Sequence, residues 1–357
     1  MFQIVYLFLF LRPMKEKIIN IKSVLQDSKN IVITVHKSPD GDALGSALAL
    51  SGVLSKLDHK VTVVSPNSYA PFLYWMQGND DILIFLEDIE EVTKVTENAD
   101  IIFMLDYNNL SRIGDYSNVV SNSDSFKVMI DHHQEPEQDM ADVIISDTSS
   151  SSTAQLLFNV IEKLGYKNLI NKDVAECLYA GIMTDTGSFK FSSTTAETHK
   201  IIAQLIDLGA DNSKVHDLIY DNYSPERIKL LGYCLNKKMQ IYPDLHAAVI
   251  SLTEEELKSF DFRKGDTEGV VNYALAIKGI TFAIFIAQKD GVVKLSLRSK
   301  GDFKVNEIAK KYFSGGGHIN AAGGISDLTV KDTIKKVVEI FKKYKKELLT
   351  NQIKYEN

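Results

Sequence analysis

Four groups of acidic and imidazole side chains stand out from the rest of this sequence. They are His36 with Asp40 and Asp42, then Asp106, then Asp131, His132 and His133, and finally Asp185. Taken singly, each has an ordinary explanation, because Asp-Gly-Asp favours turns and Asp is a common helix cap. If they converge, however, several carboxylates would repel one another and resist burial, and a cation removes that difficulty. The groups together therefore predict a metal site.

The donor atoms of this site would be carboxylate oxygens and imidazole nitrogens, with no cysteine. Such a set favours Mn²⁺, with Mg²⁺, Fe or Co²⁺ as substitutes, over a structural zinc ion. The ligands are too many for one ion and suit two. Two ions about 3.5–4 Å apart can share a carboxylate and activate a bridging water for in-line attack on phosphorus. The chemistry predicted is phosphoester hydrolysis.

The elements that must position these residues are visible as short, almost wholly apolar runs. Such runs are typical of strands buried on both faces of a parallel sheet. They cover residues 31–35, 61–64, 101–105, 127–130 and 143–145. Helical spacing of apolar residues follows in 43–57 and 152–164. The pattern predicts an open α/β sheet, mostly parallel, with helices on both faces. We expect all four groups to follow strand ends, where ligands bind in such sheets.

A smaller α+β unit is predicted after a mainly helical stretch at 171–234. Its predicted strands cover 246–251, 279–288 and 292–298, and its predicted helices cover 305–312 and 330–344. Lys289-Asp290-Gly291 favours a tight hairpin turn between the last two strands. We expect a first domain at 14–210, a helical linker at 211–236 and a second domain at 237–348. The active site is expected in the cleft between the two domains.

Charge and cysteine content limit the partners and the location. Lys and Arg number 40 against 47 Asp and Glu, a net charge of −7, so a broad basic surface for duplex DNA is not expected. A small phosphorylated substrate remains compatible with this charge. The two cysteines, Cys177 and Cys234, favour a reduced, cytoplasmic protein, with a disulfide as the alternative.

Residues 1–13 form an apolar extension that needs its own interpretation. The run 1–11 is too short to span a bilayer, which takes about 20 residues, and it lacks the basic leader and cleavage site of a secretory signal. We expect no membrane span, and we interpret Met14 as the native start, with 1–13 outside the native fold. A membrane-surface anchor is the alternative.

The order and spacing of these motifs resemble the DHH phosphoesterase superfamily. The resemblance extends from about residue 15 into the second unit. There, Gly315-Gly316-Gly317-His318, followed by Ala321-Ala322-Gly323, resembles the glycine-rich signature of the DHH-associated C-terminal domain. Each motif is moderately specific alone, and all of them in order are strongly specific.

The resemblance also implies a role for each residue. One metal ion would be held by His36, Asp40 and Asp106, and the other by Asp42, Asp106, His132 and Asp185, with Asp106 bridging. His133 would face the substrate phosphate or orient the attacking water. Asp131 would fix an imidazole through its ring N–H.

A substrate clamp is implied in the second unit. Three successive glycines let backbone N–H groups approach an anion, and arginine can grip a phosphate bidentately. From the residues alone, a flexible loop and a surface charge are the alternative. The resemblance favours the clamp, made of Arg298, Gly315, Gly316, Gly317 and His318, with Arg112 touching phosphate or ordering its own loop.

Within the superfamily, the sequence resembles the subgroup of bifunctional oligoribonuclease and 3′-phosphoadenosine-5′-phosphate phosphatases. This implies hydrolysis of very short oligoribonucleotides such as pApA to mononucleotides, and of 3′-phosphoadenosine 5′-phosphate to AMP, by a hydroxide bridging two Mn²⁺ ions. The alternatives are a cyclic di-AMP phosphodiesterase, a single-strand exonuclease, a family II pyrophosphatase and a nucleotide-binding sensor without turnover. The oligomeric state is left open, a homodimer included. His59, His199, His216 and His246 are interpreted as structural.

Overall fold

A computed structural model describes residues 14–356, which divide into two units between Asn222 and Tyr223. The division falls inside the segment predicted as a helical linker. The apolar extension at 1–13 lies outside the described residues. Within the described part of the chain, no helix is long and apolar enough to cross a membrane. Both cysteines are buried free thiols.

The first unit is built on one sheet of six parallel strands, in the order β3-β2-β1-β4-β5-β6. The strands are β1 (Asn30–Val35), β2 (Lys60–Ser65), β3 (Leu83–Ile84), β4 (Ile101–Leu105), β5 (Phe126–Asp131) and β6 (Val143–Ser146). Alternate residues of β4 enter two separate cores, with Phe103 in one and Met104 in the other. The sheet is therefore buried on both faces, which explains why its strands are continuously apolar.

Helices cover both faces of this sheet, as predicted. They are α1 (residues 14–24), α2 (Gly41–Ser55), α3 (Ile89–Glu97), α4 (Tyr116–Asn122), α5 (Thr153–Leu164), α6 (Lys172–Asp185), α7 (Ala196–Asp207) and α8 (Asn212–Tyr220). The cap of α5 is Ser152, whose side chain accepts a hydrogen bond from the Gln155 N–H.

Glycines allow α2 and α6 to approach closely. A Cβ atom on Gly45 would lie 2.4 Å from the backbone oxygen of Cys177, and one on Gly41 would lie 2.5 Å from Oγ1 of Thr184. Both distances are shorter than van der Waals contact. The spacing of four residues places Gly41 and Gly45 on one face of α2. This close packing brings the start of α2 to the end of α6.

Gly45→Ala is expected to lower the stability of the first unit by about 1–3 kcal/mol, the usual cost of overpacking. The obstacle is a backbone carbonyl, which cannot rotate away. Unfolding in urea, followed by the fluorescence of Trp75, the one tryptophan of the chain, measures the effect in this unit.

Gly52→Ala is the matched control, because it lies in the same helix and gains the same helix propensity. Its Cβ would meet a methyl group of Val174 at 2.8 Å rather than backbone, and a smaller loss is expected. Equal losses in the two variants would contradict the packing argument.

The second unit has a mixed sheet of six strands in the order β11-β12-β10-β9-β8-β7, in which only β8 and β9 run parallel. The strands are β7 (Met239–Tyr242), β8 (Ala247–Leu252), β9 (Phe282–Lys289), β10 (Val292–Ser299), β11 (Gly316–His318) and β12 (Ala321–Ser326). The helices are α9 (Pro225–Tyr233), α10 (Glu254–Lys258), α11 (Val270–Leu275), α12 (Val305–Tyr312), α13 (Val330–Lys343) and α14 (Lys345–Glu356). The predicted fold class, a parallel α/β unit followed by a smaller α+β unit, is confirmed.

Sequence patterns missed four strands and misplaced one functional residue. The strands β3, β7, β11 and β12 are short or rich in glycine and carry little apolar periodicity. Asp185 was expected after a strand, and that was wrong, because it is the last residue of α6. The predicted hairpin turn is confirmed: Asp290 and Gly291 join β9 to β10 with φ of 51° and 73°.

Candidate metal centre

Three neighbouring strands bring the first group of side chains together. His36 follows β1, Asp106 follows β4, and Asp131 ends β5 just before His132. Since β1, β4 and β5 are adjacent and parallel, their carboxyl ends meet at one edge. Nε2 of His36 lies 3.4 Å from Oδ2 of Asp106 and 4.0 Å from Oδ1 of Asp40.

Two helices supply the second group. Asp40 caps α2 by accepting hydrogen bonds from the N–H groups of Asp42 and Ala43, at 3.0 and 3.1 Å, and this places Asp42 in the first turn. Asp185 stands at the end of α6. Nε2 of His132 is 3.9 Å from Oδ2 of Asp42 and 3.4 Å from Oδ2 of Asp185.

The predicted ligands thus form two clusters. In one, the ligand atoms of His36, Asp40 and Asp106 lie within 4.8 Å of one another, and the same holds in the other for Asp42, His132 and Asp185. Asp106 also reaches the second cluster, because its Oδ1 is 3.7 Å from Nε2 of His132. The Asp106 carboxylate therefore lies where it could contact both ions of a pair.

His133 makes two contacts with the carboxylate of Asp131. Nδ1 of His133 lies 2.6 Å from Oδ1 of Asp131, and its backbone N–H donates to Oδ2 at 3.0 Å. An ionised carboxylate only accepts hydrogen bonds. Nδ1 therefore carries a ring proton, which it donates to Asp131.

The first turn of α5 supports two of the carboxylates. The backbone N–H groups of Thr153 and Ala154 donate to Asp42 at 2.7 and 2.8 Å, and the Thr153 hydroxyl donates to Oδ1 of Asp106 at 2.8 Å. The positive end of a helix dipole stabilises negative charge placed there. Sequence patterns indicated only that a helix begins here, and not what its first turn holds.

Burial sets the electrostatics of the acids. It raises the pKa of Asp42 and of Asp185 well above the ordinary value, and neighbouring carboxylates raise both further. Burial also acts to raise the pKa of Asp106, but the hydrogen bond with His36 and the charges of the nearby imidazoles outweigh it and lower that pKa. For His36, burial acts to lower the pKa, yet Asp106 and Asp40 leave it raised.

The residues fit divalent cations by the chemistry of their donors. Two acids that resist ionisation beside an ionised third make a buried site that a cation would complete. Asp106 also has a left-handed backbone with φ of 64°, which Asp and Asn tolerate better than most residues. The side chain of Asp40 is 53% exposed, so the first cluster reaches solvent.

Of the other predicted residues, Arg112 belongs to the first unit, and Arg298, Gly315, Gly316, Gly317 and His318 belong to the second. Arg112 belongs to a short 3₁₀ turn after β4, and its carbonyl accepts a hydrogen bond from the Lys37 N–H at 2.8 Å. It thereby ties together the segments that follow β1 and β4. Arg298 lies in β10 of the second unit.

Part of the glycine-rich signature forms a strand. Gly316, Gly317 and His318 form β11, an edge strand that pairs with β12. A Cβ on Gly315 would lie 2.1 Å from the backbone oxygen of Gly323. Close backbone approach therefore explains why glycine stands at that position.

Comparison with known proteins covers both units. The family model of the DHH family, N-terminal domain, matches residues 30–182, and that of the DHHA1 domain matches residues 245–347. The probable bifunctional oligoribonuclease and PAP phosphatase NrnA of Streptococcus mutans is 31% identical over 298 residues, which cover 83% of this chain and 89% of that protein. The bifunctional oligoribonuclease and PAP phosphatase NrnA of Bacillus subtilis is 28% identical over 297 residues, with 82% and 88% covered.

A solved structure is also similar over nearly the whole chain. It is that of an exopolyphosphatase-related protein from Bacteroides fragilis, with a TM-score of 0.89 and 41% sequence identity. The match covers 93% of this chain and 97% of that one.

Proposed function

The chain belongs to the DHH family and carries a DHHA1 domain, and from that premise we propose that it hydrolyses phosphoester bonds of very short oligoribonucleotides at a two-metal centre. The substrates would be linear fragments such as pApA, cleaved to mononucleotides, together with 3′-phosphoadenosine 5′-phosphate, cleaved to AMP. The supporting relatives are named for these two activities and are similar to most of the chain.

The observation on which the proposal rests is the pair of side-chain clusters that meet at Asp106. One carboxylate between two groups of oxygen and nitrogen donors suits two cations that share a ligand. The mixture of carboxylates and imidazoles favours Mn²⁺, with Mg²⁺ or Co²⁺ as substitutes.

Different residues of the chain would hold the cations, orient the attacking water and keep the metal ligands in place. Bound cations would supply a water of lowered pKa and neutralise the negative charge that develops on the phosphoryl oxygens. Asp131 holds Nδ1 of His133, so that Nε2 would accept a hydrogen bond from the attacking water when unprotonated, or donate one to a phosphate oxygen when protonated. The first turn of α5 keeps Asp42 and Asp106 in place, so that neither must reorient during the reaction.

The second unit would bind the nucleotide. Arg298 supplies a permanent charge on β10, while His318 lies on the edge strand β11. A guanidinium group can hold a terminal phosphate through two hydrogen bonds. A grip on the end of the substrate would limit hydrolysis to short chains.

Arg298→Ala is expected to raise the KM for pApA about tenfold or more, because a charge-assisted hydrogen bond contributes about 1.5–3 kcal/mol. The content of bound metal should not change, and His318→Ala should behave in the same way with a smaller effect. Lys294→Ala removes one positive charge from the same strand and should leave KM close to that of the wild type. Loss of bound metal in the Arg298 variant would contradict the assignment.

A panel of substrates with Mn²⁺ tests the function. It contains pApA, a pentaribonucleotide, 3′-phosphoadenosine 5′-phosphate, cyclic di-AMP, pyrophosphate and inorganic polyphosphate, the last because of the name of the similar solved structure. Preferred turnover of pApA and the pentaribonucleotide is the expected result. Preferred turnover of cyclic di-AMP would favour the cyclic phosphodiesterase alternative, and turnover of pyrophosphate or polyphosphate alone would refute the proposal.

A further inference from the structure

The segment directly after Asp185 has an unusual backbone. Gly187, Ser188 and Phe189 follow one another with φ of 56°, 61° and 66°. Residues with a Cβ rarely adopt this left-handed conformation because it is sterically unfavourable, and two in succession need support from their surroundings. Whatever supports this segment also determines how α6 ends.

The backbone of the segment is tied to the last turn of α6. The N–H of Ser188 donates to the carbonyl of Met183 at 2.8 Å, and that of Gly187 donates to Thr184 at 3.1 Å. The N–H of Phe189 donates to the hydroxyl of Thr186 at 3.1 Å. The conformation of residues 187–189 and the direction of the helix end therefore depend on each other.

Asp185 needs this support more than the other acids. Asp42 and Asp106 accept hydrogen bonds from the first turn of α5. Among the described residues, no hydrogen bond to the Asp185 carboxylate is found, and its near neighbour is Nε2 of His132 at 3.4 Å. The placement of this carboxylate thus rests on the backbone that bears it.

A histidine from α8 supports the segment at Ser188. Nε2 of His216 lies 3.0 Å from the Ser188 hydroxyl, and Nδ1 lies 2.9 Å from the backbone carbonyl of Asn212. A carbonyl can only accept, so Nδ1 carries a proton, and in the neutral ring Nε2 accepts from the Ser188 hydroxyl. The ring is thereby fixed to its own helix on one side and holds Ser188 on the other.

Aromatic contacts surround the same place. The ring of Phe189 lies 5.9 Å from that of Tyr179 on α6, 5.8 Å from that of His199 and 6.5 Å from that of His216. His199 therefore contacts the segment through Phe189 but has no hydrogen bond to Ser188. A comparison of His199 with His216 therefore distinguishes the effect of packing against Phe189 from the effect of the hydrogen bond to Ser188.

We propose that His216 is a positioning residue for the metal site, acting through its hydrogen bond with Ser188 to fix the end of α6 and thereby the carboxylate of Asp185. The inference rests on the proposed function, in which Asp185 is a metal ligand. It assigns a role to a histidine that the sequence left among the structural ones.

Calorimetric titration of the metal-free protein with Mn²⁺ alone tests the proposal. Ser188→Ala and His216→Ala should each lower Mn²⁺ affinity about tenfold, the lower end of the usual effect of residues that orient metal ligands. The double variant should lose no more than His216→Ala alone, because both substitutions remove the same hydrogen bond. His216→Gln, which can still accept from Ser188, should recover part of the affinity, and His199→Ala should bind like the wild type.

The outcomes separate the inference from the function on which it rests. Wild-type protein that binds no Mn²⁺ would overturn both. Wild-type protein that binds Mn²⁺, with Ser188→Ala and His216→Ala binding equally well, would overturn the inference alone, as would an equal loss in His199→Ala. Trp75 fluorescence checks that each variant is folded, and Ser188→Ala decides the matter if His216→Ala does not fold.

Discussion

Asp106→Asn is expected to lower the rate of pApA hydrolysis by about 10³-fold. The Asp106 carboxylate lies between the two clusters, and its loss should remove several kcal/mol of metal-derived stabilisation, at about 1.36 kcal/mol for each factor of ten. Asparagine is preferred to alanine because it tolerates the left-handed backbone at φ of 64°. It can also still accept the hydrogen bond from Thr153.

The rate is measured from released AMP with saturating Mn²⁺. Asp115→Asn is the control, because Asp115 is an exposed acid whose side chain makes no capping hydrogen bond, and its rate should equal that of the wild type. Substantial turnover by Asp106→Asn would show that Asp106 does not serve both ions.

Mn²⁺ is expected to raise the thermal unfolding midpoint of the first unit by roughly 5–10 °C. A cation at about 100 times its Kd adds about 2.7 kcal/mol, and each kcal/mol shifts the midpoint of a domain of this size by about 2–4 °C. Asp185→Asn should show a much smaller shift, because it lacks one proposed ligand. Trp75 fluorescence during heating measures both.

Without metal, Asp185→Asn is expected to be the more stable of the two proteins at neutral and alkaline pH. Burial and the neighbouring carboxylates raise the pKa of Asp185 on folding. The ionised side chain therefore costs stability at neutral pH, and that cost disappears as the pH falls. Metal-free Asp185→Asn should be more stable than metal-free wild type at pH 8, with the difference shrinking toward pH 4. A variant less stable than the wild type at pH 8 would contradict this electrostatic account.

The sequence predicted the strands that deliver His36, Asp106 and Asp131 because those strands are buried on both faces. Continuous apolar runs record that burial directly. A chemically active residue after each run then follows from the general position of sites in open α/β sheets. This part of the candidate site depends on local patterns and could be predicted well.

Asp185 could not be placed by the same reasoning, because no strand delivers it: it ends a helix within the stretch 171–234, whose pattern is mainly helical. Its position depends on the packing of α6 against α2, and glycines such as Gly45 make that packing close. The spacing of Gly41 and Gly45 was a signal of close helix packing that sequence analysis did not use. The distance between two packed helices depends on side chains that come into contact only in the folded protein.

The strand β11 and the contact of Ser188 with His216 escaped prediction for related reasons. Two of the three residues of β11 are glycines, which have no side chains and show no periodicity, so the pairing of this strand with β12 cannot be inferred from pattern. His216 is 28 residues from Ser188 along the chain, and no pattern in the sequence links the two. Long-range hydrogen bonds leave no trace in local composition.

The central claim is that this chain cleaves short oligoribonucleotides only with metal in the candidate centre. The most direct measurement is release of AMP from pApA by protein stripped of metal, as Mn²⁺ is added back, with Asp106→Asn assayed in parallel. The account predicts no release without metal, recovery that saturates at two Mn²⁺ per chain, and no recovery in the variant. Release of AMP that is independent of metal, or equal recovery by Asp106→Asn, would contradict it.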